Sequence, residues 1–343
     1  MKKIGFFTSF GIGGADHTSY ILAKQLSKHY GNEKFTVFFN NMSLPNSNNL
    51  SRHDSYLEYC KPIKISSVTD FNNYNIDILF VHRGGNEFWL LPDFENTNFN
   101  FKIIEINFHG ATLTKADFRI FPSQTLVNHY SLNNVPHIVI PNPIPRATTL
   151  ENLREELNLN NKFVVGRVAR GDPEIYCDIN LIAYKNIEDE NTVFLYLNPS
   201  HKAIEDSKKL NIKNIIFIKP TICSEQLDKL YNTFDVHAHS NVIGETFGNS
   251  VAESFIRGIP TISHEGLTIW PQAHKEFFIN TKELYINKSD KNTMVAIYTK
   301  CLYMLKNNLG YRDYISKLQK EYAVKHFSED VIVNRYIEVI DNI

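Results

Sequence analysis

Apolar residues in this chain come in short runs rich in Ile, Val and Phe, and most of the runs are continuous rather than alternating. Residues 3–8, 35–39, 77–82, 102–108, 118–122 and 138–141 form a first series. Residues 163–168, 192–197, 215–218, 236–239, 260–263 and 283–286 form a second. Continuous runs of this length predict strands covered on both faces, as in parallel sheets. Between many of them lie stretches with helical spacing. HTSYILAKQLSKHYG places Ile21, Leu22 and Leu26 on one face and ends on Gly31, a glycine stop. SEQLDKLYNTF places Leu227, Leu230 and Phe234 on one face, with Ser224 as the expected cap. Strand–helix alternation implies parallel sheets joined by right-handed crossovers, and two series imply two α/β lobes. The join falls at IPNPIPRATTLENL, where Pro141, Pro143 and Pro145 forbid a continuing helix. FSEDVIVNRYIEVIDNI reads as a capped amphipathic helix beginning at Ser328.

Composition narrows the class. With 43% hydrophobic and 21% charged residues among 343, the chain can fill two ordinary cores and is not a disordered protein. Its formal charge of −1 provides no long-range field toward nucleic acid or an anionic membrane. Cys60, Cys177, Cys223 and Cys301 are widely spaced, which argues against a disulfide framework or a thiolate metal site and for reduced thiols in the cytoplasm. MKKIGFFTSFGIGG has too short an apolar run for a leader peptide, and no stretch reaches bilayer length.

Four constellations could carry chemistry. Gly11-Ile12-Gly13-Gly14-Ala15-Asp16 follows the first strand and opens the first helix, where backbone amides can meet a phosphate or a sugar. A dinucleotide fingerprint would need a third glycine where Asp16 stands and an acid after the second strand, which ends in Phe39-Asn40-Asn41. A purely structural glycine turn is the other reading. The second constellation runs from Gly244 through Glu245, Thr246, Phe247, Gly248 and Asn249 to Glu253. A helix starting near Gly248 would aim the amides of residues 246–249 at an anion, with Glu245 in the loop and Glu253 about one and a half turns in. Alternatively, both glutamates only complement the helix dipole. In the third, Arg167 and Arg170 flank the turn after the second lobe's first strand, suited to a diphosphate or, more simply, to a surface pair with Asp172. The fourth is His109 in Asn107-Phe108-His109-Gly110, a sugar contact, a general base or a structural residue. His237 and His239 share one face of a strand but have no third ligand near in sequence, so they read as packing or donor-pocket residues rather than a zinc site.

Order and spacing of these elements resemble the retaining glycosyltransferases of family 4, through nearly the whole chain. FFTSFGIGGADHTSYILAKQLSKH resembles that family's opening loop and helix, and ADFRIFPSQTLVNHY with HIVIPNPIP its late first-lobe strand, helix and hinge. EQLDKLYNTFDVHAHSNVIGETFGNSVAESFIRGIPTISH resembles its second-lobe core, including the pair of glutamates, and is the most specific part. The resemblance implies a GT-B fold: Rossmann-like lobes over 1–145 (acceptor side) and 146–325 (donor side), facing each other across a cleft. Residues 326–343 would form a helix crossing back to the first lobe. It also implies donor contacts by Gly13, Gly14, Arg167, Arg170, the 246–249 amides and Glu253, the last on the ribose. Glu245 would hold sugar hydroxyls, His109 would touch the transferred sugar, and Arg167 would neutralise the departing phosphate. A family lysine shortly after the Arg167 position is missing from GRVARGDPEIYCD, so Arg170 would have to deliver that charge from another register.

The expected activity is therefore transfer of a sugar from a nucleoside-diphosphate sugar, UDP- or GDP-linked, with retention of configuration. The donor is a co-substrate, and neither a metal nor another cofactor is expected. Acceptors would be a glycan, a lipid-linked sugar or a small molecule, and the protein would be cytoplasmic, peripheral to a membrane at most, with no nucleic-acid partner. Two rivals are a GT-B sugar-nucleotide epimerase, which needs no acceptor, and a non-catalytic relative, which binds donor without turnover. Loops 41–59 and 83–98, where acceptor choice would reside, carry no telling motif.

Overall fold

Each of these apolar runs becomes a strand, because each can be covered on two faces by the helices that separate them. The computed structural model describes residues 2–11, 13–40, 51–83 and 93–343. Parts of the loops 41–59 and 83–98, namely 41–50 and 84–92, lie outside the described residues, as does Ile12.

The chain divides into two units, residues 1–143 with 329–343, and residues 144–328. The first holds a seven-stranded sheet in the order β3-β2-β1-β4-β5-β6-β7, all neighbours parallel. Its strands are β1 (Ile4–Phe7), β2 (Phe35–Phe39), β3 (Ile63–Lys64), β4 (Ile78–Arg83), β5 (Lys102–Asn107), β6 (Phe118–Phe121) and β7 (His137–Val139). The two-residue edge strand β3 was not readable in the sequence, since Lys-Pro-Ile-Lys offers too short an apolar signal. Helix α1 (Gly14–Tyr30) covers one face, burying Ile21, Leu22 and Leu26, and stops at Gly31, whose φ of 77° suits glycine. Helices α2 (His53–Leu57) and α3 (Gln124–His129) complete this part. Helix α10 (Glu329–Asn342) packs on the same core through Ile332, Val333, Tyr336 and Ile340.

The second unit holds a six-stranded parallel sheet in the order β10-β9-β8-β11-β12-β13. Its strands are β8 (Phe163–Val168), β9 (Thr192–Leu197), β10 (Ile215–Ile218), β11 (Val236–Ala238), β12 (Thr261–His264) and β13 (Tyr285–Ile286). Helices α4 (Ile179–Ile187), α5 (His201–Lys209), α6 (Ser224–Tyr231), α7 (Asn249–Ile256), α8 (Lys291–Asn307) and α9 (Leu309–Phe327) pack around it. Gly166 in β8 is obligatory, for a Cβ there would stand 2.1 Å from the Phe234 ring. Ser224 does not cap α6 as the spacing suggested. Helical turns begin one residue earlier, at an N-cap of Cys223 that makes no side-chain bond. The two ends of the second unit lie together: Ile144 bridges Ser328 and donates its N–H to Phe327 O at 2.8 Å.

In both sheets the chain winds outward in opposite directions from a central pair, β1/β4 in the first and β8/β11 in the second. Loops leaving such a pair diverge, and the crevice at their carboxyl ends is where ligands bind in open α/β sheets.

Candidate functional site

At the β8/β11 switch point of the second unit stands Arg167, entirely buried at the end of β8. Its Nε donates to Tyr196 Oη at 3.1 Å, Nη1 to Ala238 O at 3.5 Å and Nη2 to Asn241 Oδ1 at 2.8 Å. The guanidinium also lies over the Tyr196 ring, 5.5 Å from its centroid. All three acceptors are uncharged. Burying a cation among neutral partners is costly, and a protein keeps such a charge where an anion will meet it.

Glu245 lies in the loop between β11 and α7. Its Oε1 accepts from Asn241 Nδ2 and from His239 Nε2, the latter at 3.2 Å. A carboxylate can only accept, so Nε2 of His239 carries the proton and Nδ1 receives the Ser263 hydroxyl at 2.7 Å. Burial raises the Glu245 carboxyl above its ordinary value, against His274, Arg170, Asn241 and Arg167, which favour the ionised form. His239 is pushed well below 6.5, first by burial and then by Arg167 and His264. His274, whose ring is 5.2 Å from that of His239, falls to about 3, chiefly by burial.

The turn into α7 is made by Gly248, at φ 104°, where an added Cβ would lie 2.9 Å from His274 Cβ. Only glycine takes this backbone without strain. Helix α7 then starts at Asn249, and Gly248 has no side chain to cap it. The Phe247 ring is core, packed at 5.0 Å on Phe277 and 5.2 Å on Phe327, so only its backbone can face a ligand. Thr246 and Asn249 are half-buried beside it. Glu253 is buried one turn further, its Oε2 accepting from Tyr231 Oη at 2.8 Å. Arg170 is exposed and pairs at 3.5 Å with Asp172, the simpler of its two sequence readings, while still acting on Glu245 through space.

In the first unit, Gly13 is the N-cap of α1 and its N–H donates to Asp16 Oδ2 at 3.1 Å. Asp16, the residue standing where a dinucleotide fingerprint has glycine, thus reaches back from the first turn to hold the N-cap amide. Gly14 opens α1. His82, at the carboxyl end of β4, is buried with Nδ1 3.0 Å from Thr8 Oγ1 and 2.7 Å from Ser19 Oγ. His109 is half-buried after β5, its N–H donating to Asn107 Oδ1 at 3.0 Å. The chemistry-bearing residues thus gather in two groups. Arg167, Glu245, the 246–249 turn and Glu253 share the second unit with Arg170, while Gly13, Gly14 and His109 belong to the first.

Sequence reasoning missed Asn241, Tyr196, Tyr231 and His274 as partners of this group. Asn241 lies four residues before Glu245 in Ser-Asn-Val-Ile-Gly-Glu, and nothing in that spacing tells which way its amide points. Among the described residues, no group of three or more His, Cys, Asp or Glu is placed to hold a metal ion. Nor is any helix among them long and apolar enough to cross a membrane.

No protein-family model matches the sequence, and no curated protein matches it. Solved structures do. The chain is similar to Anabaena Alr3699/HepE, crystallised with UDP and glucose, at 13% identity and a TM-score of 0.76, over 100% of both chains. It is similar to a glycosyltransferase from Rickettsia africae ESF-5 at 14% identity and 0.76, over 98% of this chain and 97% of that one. Sucrose-phosphate synthase from Thermosynechococcus elongatus aligns at 14% identity and 0.71, over 100% and 99%. This chain has the GT-B fold. Identities this low establish the architecture alone, and the GT-B expectation drawn from the sequence holds on that ground.

Proposed function

We propose that this chain is a glycosyltransferase that moves a sugar from a UDP- or GDP-linked donor to a glycan or lipid-linked acceptor, with retention of configuration and without a metal. The observation that carries the reading is Arg167, a fully buried cation at the switch point of the second sheet whose hydrogen-bond acceptors among the described residues, Tyr196 Oη, Ala238 O and Asn241 Oδ1, are all neutral. Support also comes from HepE, which has the same fold and was crystallised with UDP-glucose and with UDP. Glycosyl transfer breaks the bond between the anomeric carbon and the diphosphate oxygen, and negative charge grows on that oxygen. Arg167 and the amide end of α7 offset this growth from a preorganised site. Arg170 supplies the second cation, from the exposed position in which it now pairs with Asp172. Glu245 accepts hydrogen bonds from donor-sugar hydroxyls and holds the sugar in register; it is a positioning carboxylate rather than a nucleophile. Glu253, oriented by Tyr231, accepts from the ribose hydroxyls. On the family resemblance, His109 touches the transferred sugar, and Gly13 and Gly14 admit the donor close to the backbone.

A thermal-shift panel of UDP-, GDP-, ADP-, dTDP- and CMP-sugars tests the reading. A specific donor at 100 times its Kd adds about 2.7 kcal/mol to stability. One diphosphate sugar is expected to raise Tm above the rest and to release nucleotide slowly, with turnover lost in Glu245→Ala. Binding without turnover in the presence of acceptors would leave only a donor-binding protein, and no stabilisation by any panel member would sink the nucleotide-sugar reading.

A further inference from the structure

Asn241 joins the two charged groups of the site without letting them meet. Its Oδ1 faces Arg167 Nη2 at 2.8 Å, and a guanidinium can only donate. Its Nδ2 donates to Glu245 Oε1, and an ionised carboxylate can only accept. Both ends of the amide are therefore fixed by partners of a single kind. Aspartate would offer acceptors at both ends, leucine neither function, and glutamine a chain one methylene too long for the same backbone.

That backbone is itself held. Asn241 pairs with Tyr176 in an antiparallel bridge, Val242 N donates to Ile175 O at 2.9 Å, and Leu267 N donates to Val242 O at 2.7 Å. The segment leaving β11 is thereby sewn between the segments leaving β8 and β12, and the side chain has little freedom at 9% exposure. His239 donates to the same Glu245 oxygen. Among the described residues both side-chain donors land on Oε1.

We infer that Asn241 is the positioning residue of this site, a neutral spacer that aims Glu245 and keeps Arg167 from being neutralised by it. The inference rests on the proposed glycosyl transfer. A direct Arg167–Glu245 ion pair would satisfy both groups in the free protein and leave neither for the donor. With the amide between them, Arg167 keeps its charge for the departing diphosphate and Glu245 keeps an oxygen for sugar hydroxyls. The reacting bond is the one already described, and Asn241 touches neither side of it.

The test uses the full chain with the nucleotide-sugar that best stabilises it. Asn241→Asp sets a carboxylate against Arg167 and removes the donor to Glu245; kcat/KM is expected to fall on the order of 100-fold. Asn241→Leu is expected to lower kcat about 10- to 100-fold with a smaller change in KM. It should also shift the acid limb of kcat/KM to higher pH, because Glu245 loses a bond that favours its ionised form. The other groups facing Glu245 are His239, His274, Arg167 and Arg170, and all remain in that variant. A merely structural asparagine would lower Tm and leave the limb in place. If Asn241→Leu fails to fold, Asn241→Ser, which keeps an acceptor for Arg167 but falls short of Glu245, is expected to move the limb in the same direction. Wild-type kcat/KM and an unmoved limb in folded variants would overturn the inference. Should the wild type bind no donor, the transfer reading fails by itself. Carboxylate NMR of Glu245 would then still decide the coupling, since its titration should move up in Asn241→Leu and an unmoved titration would overturn it.

Discussion

Glu245 is kept at a cost in stability. Its carboxyl is raised above the ordinary 4.5, first by burial, so the folded protein binds this proton more tightly than the unfolded chain. Between the ordinary value and the raised one, stability is therefore lost as pH rises, and the loss is complete above the folded value. Glu245→Gln retains the shape and the acceptor for Asn241 while removing the charge. It is expected to raise the Tm of the ligand-free protein at pH 7.5, and the gain should vanish toward pH 4.5. A flat difference in Tm across that range would mean that ionisation of Glu245 is not what destabilises the site. On the proposed function, this is stability given up for a donor-binding carboxylate, a trade common at functional sites.

Helix α7 is placed by a buried ion pair rather than by its own propensity. Arg257, just past its C-terminus, donates through Nε and Nη2 to Asp228 of α6, covers the Tyr231 ring at 4.9 Å, and donates through Nη1 to Glu253 O at 2.9 Å. Asp228 Oδ2 also accepts from Thr148 N at 2.7 Å and Thr148 Oγ1 at 2.8 Å. One carboxylate thus ties α6, α7 and the segment that follows the proline-rich join. Both side chains are nearly inaccessible, so deleting one strands the other. Asp228→Ala is expected to cost about 3–5 kcal/mol by urea unfolding. A cost below about 1 kcal/mol would mean that packing alone seats the helix. Since α7 carries Glu253 and the amide end of the site, donor affinity should fall with it.

Among the described residues five histidines are buried: His82 in the first unit, and His237, His239, His264 and His274 in the second. Burial lowers every one of them, His82 and His264 to about 4 and His274 to about 3. The unfolded chain, with ordinary imidazoles near 6.5, takes up protons the folded chain refuses. Stability is therefore full above about pH 6.5 and falls as pH drops below it, by about 1.4 kcal/mol per pH unit for each histidine. The second unit, with four of the five, is expected to lose stability more steeply. Unfolding followed from pH 7.5 to 5.5 should show this, and His264→Gln should flatten the slope by about one proton. A slope unchanged by that substitution would mean that this ring is protonated in the folded state as well.

The sequence by itself determined every strand but the two-residue edge strand β3, with their two series and their parallel pairing, because long-range order in an α/β protein is written locally as continuous apolar runs separated by amphipathic ones. It also singled out Arg167, Glu245, Gly248 and Glu253 as candidates, beside the simpler readings of a surface ion pair and a complemented helix dipole. Only the tertiary structure decided how these residues are wired. Asn241 bridges Arg167 and Glu245 because β8 and β11 are neighbours in the sheet although 67 residues lie between Val168 and Val236 in the chain. Glu253 meets Tyr231, and Glu245 meets His239, through turns whose directions no periodicity encodes. Asp16 comes to hold the N-cap amide of α1, and Phe247 becomes a core residue. Apolar patterning is an average over many weak contacts and survives in one dimension. A hydrogen-bonded site depends on single atoms placed to within a fraction of an ångström, and that placement exists only after the sheets have formed.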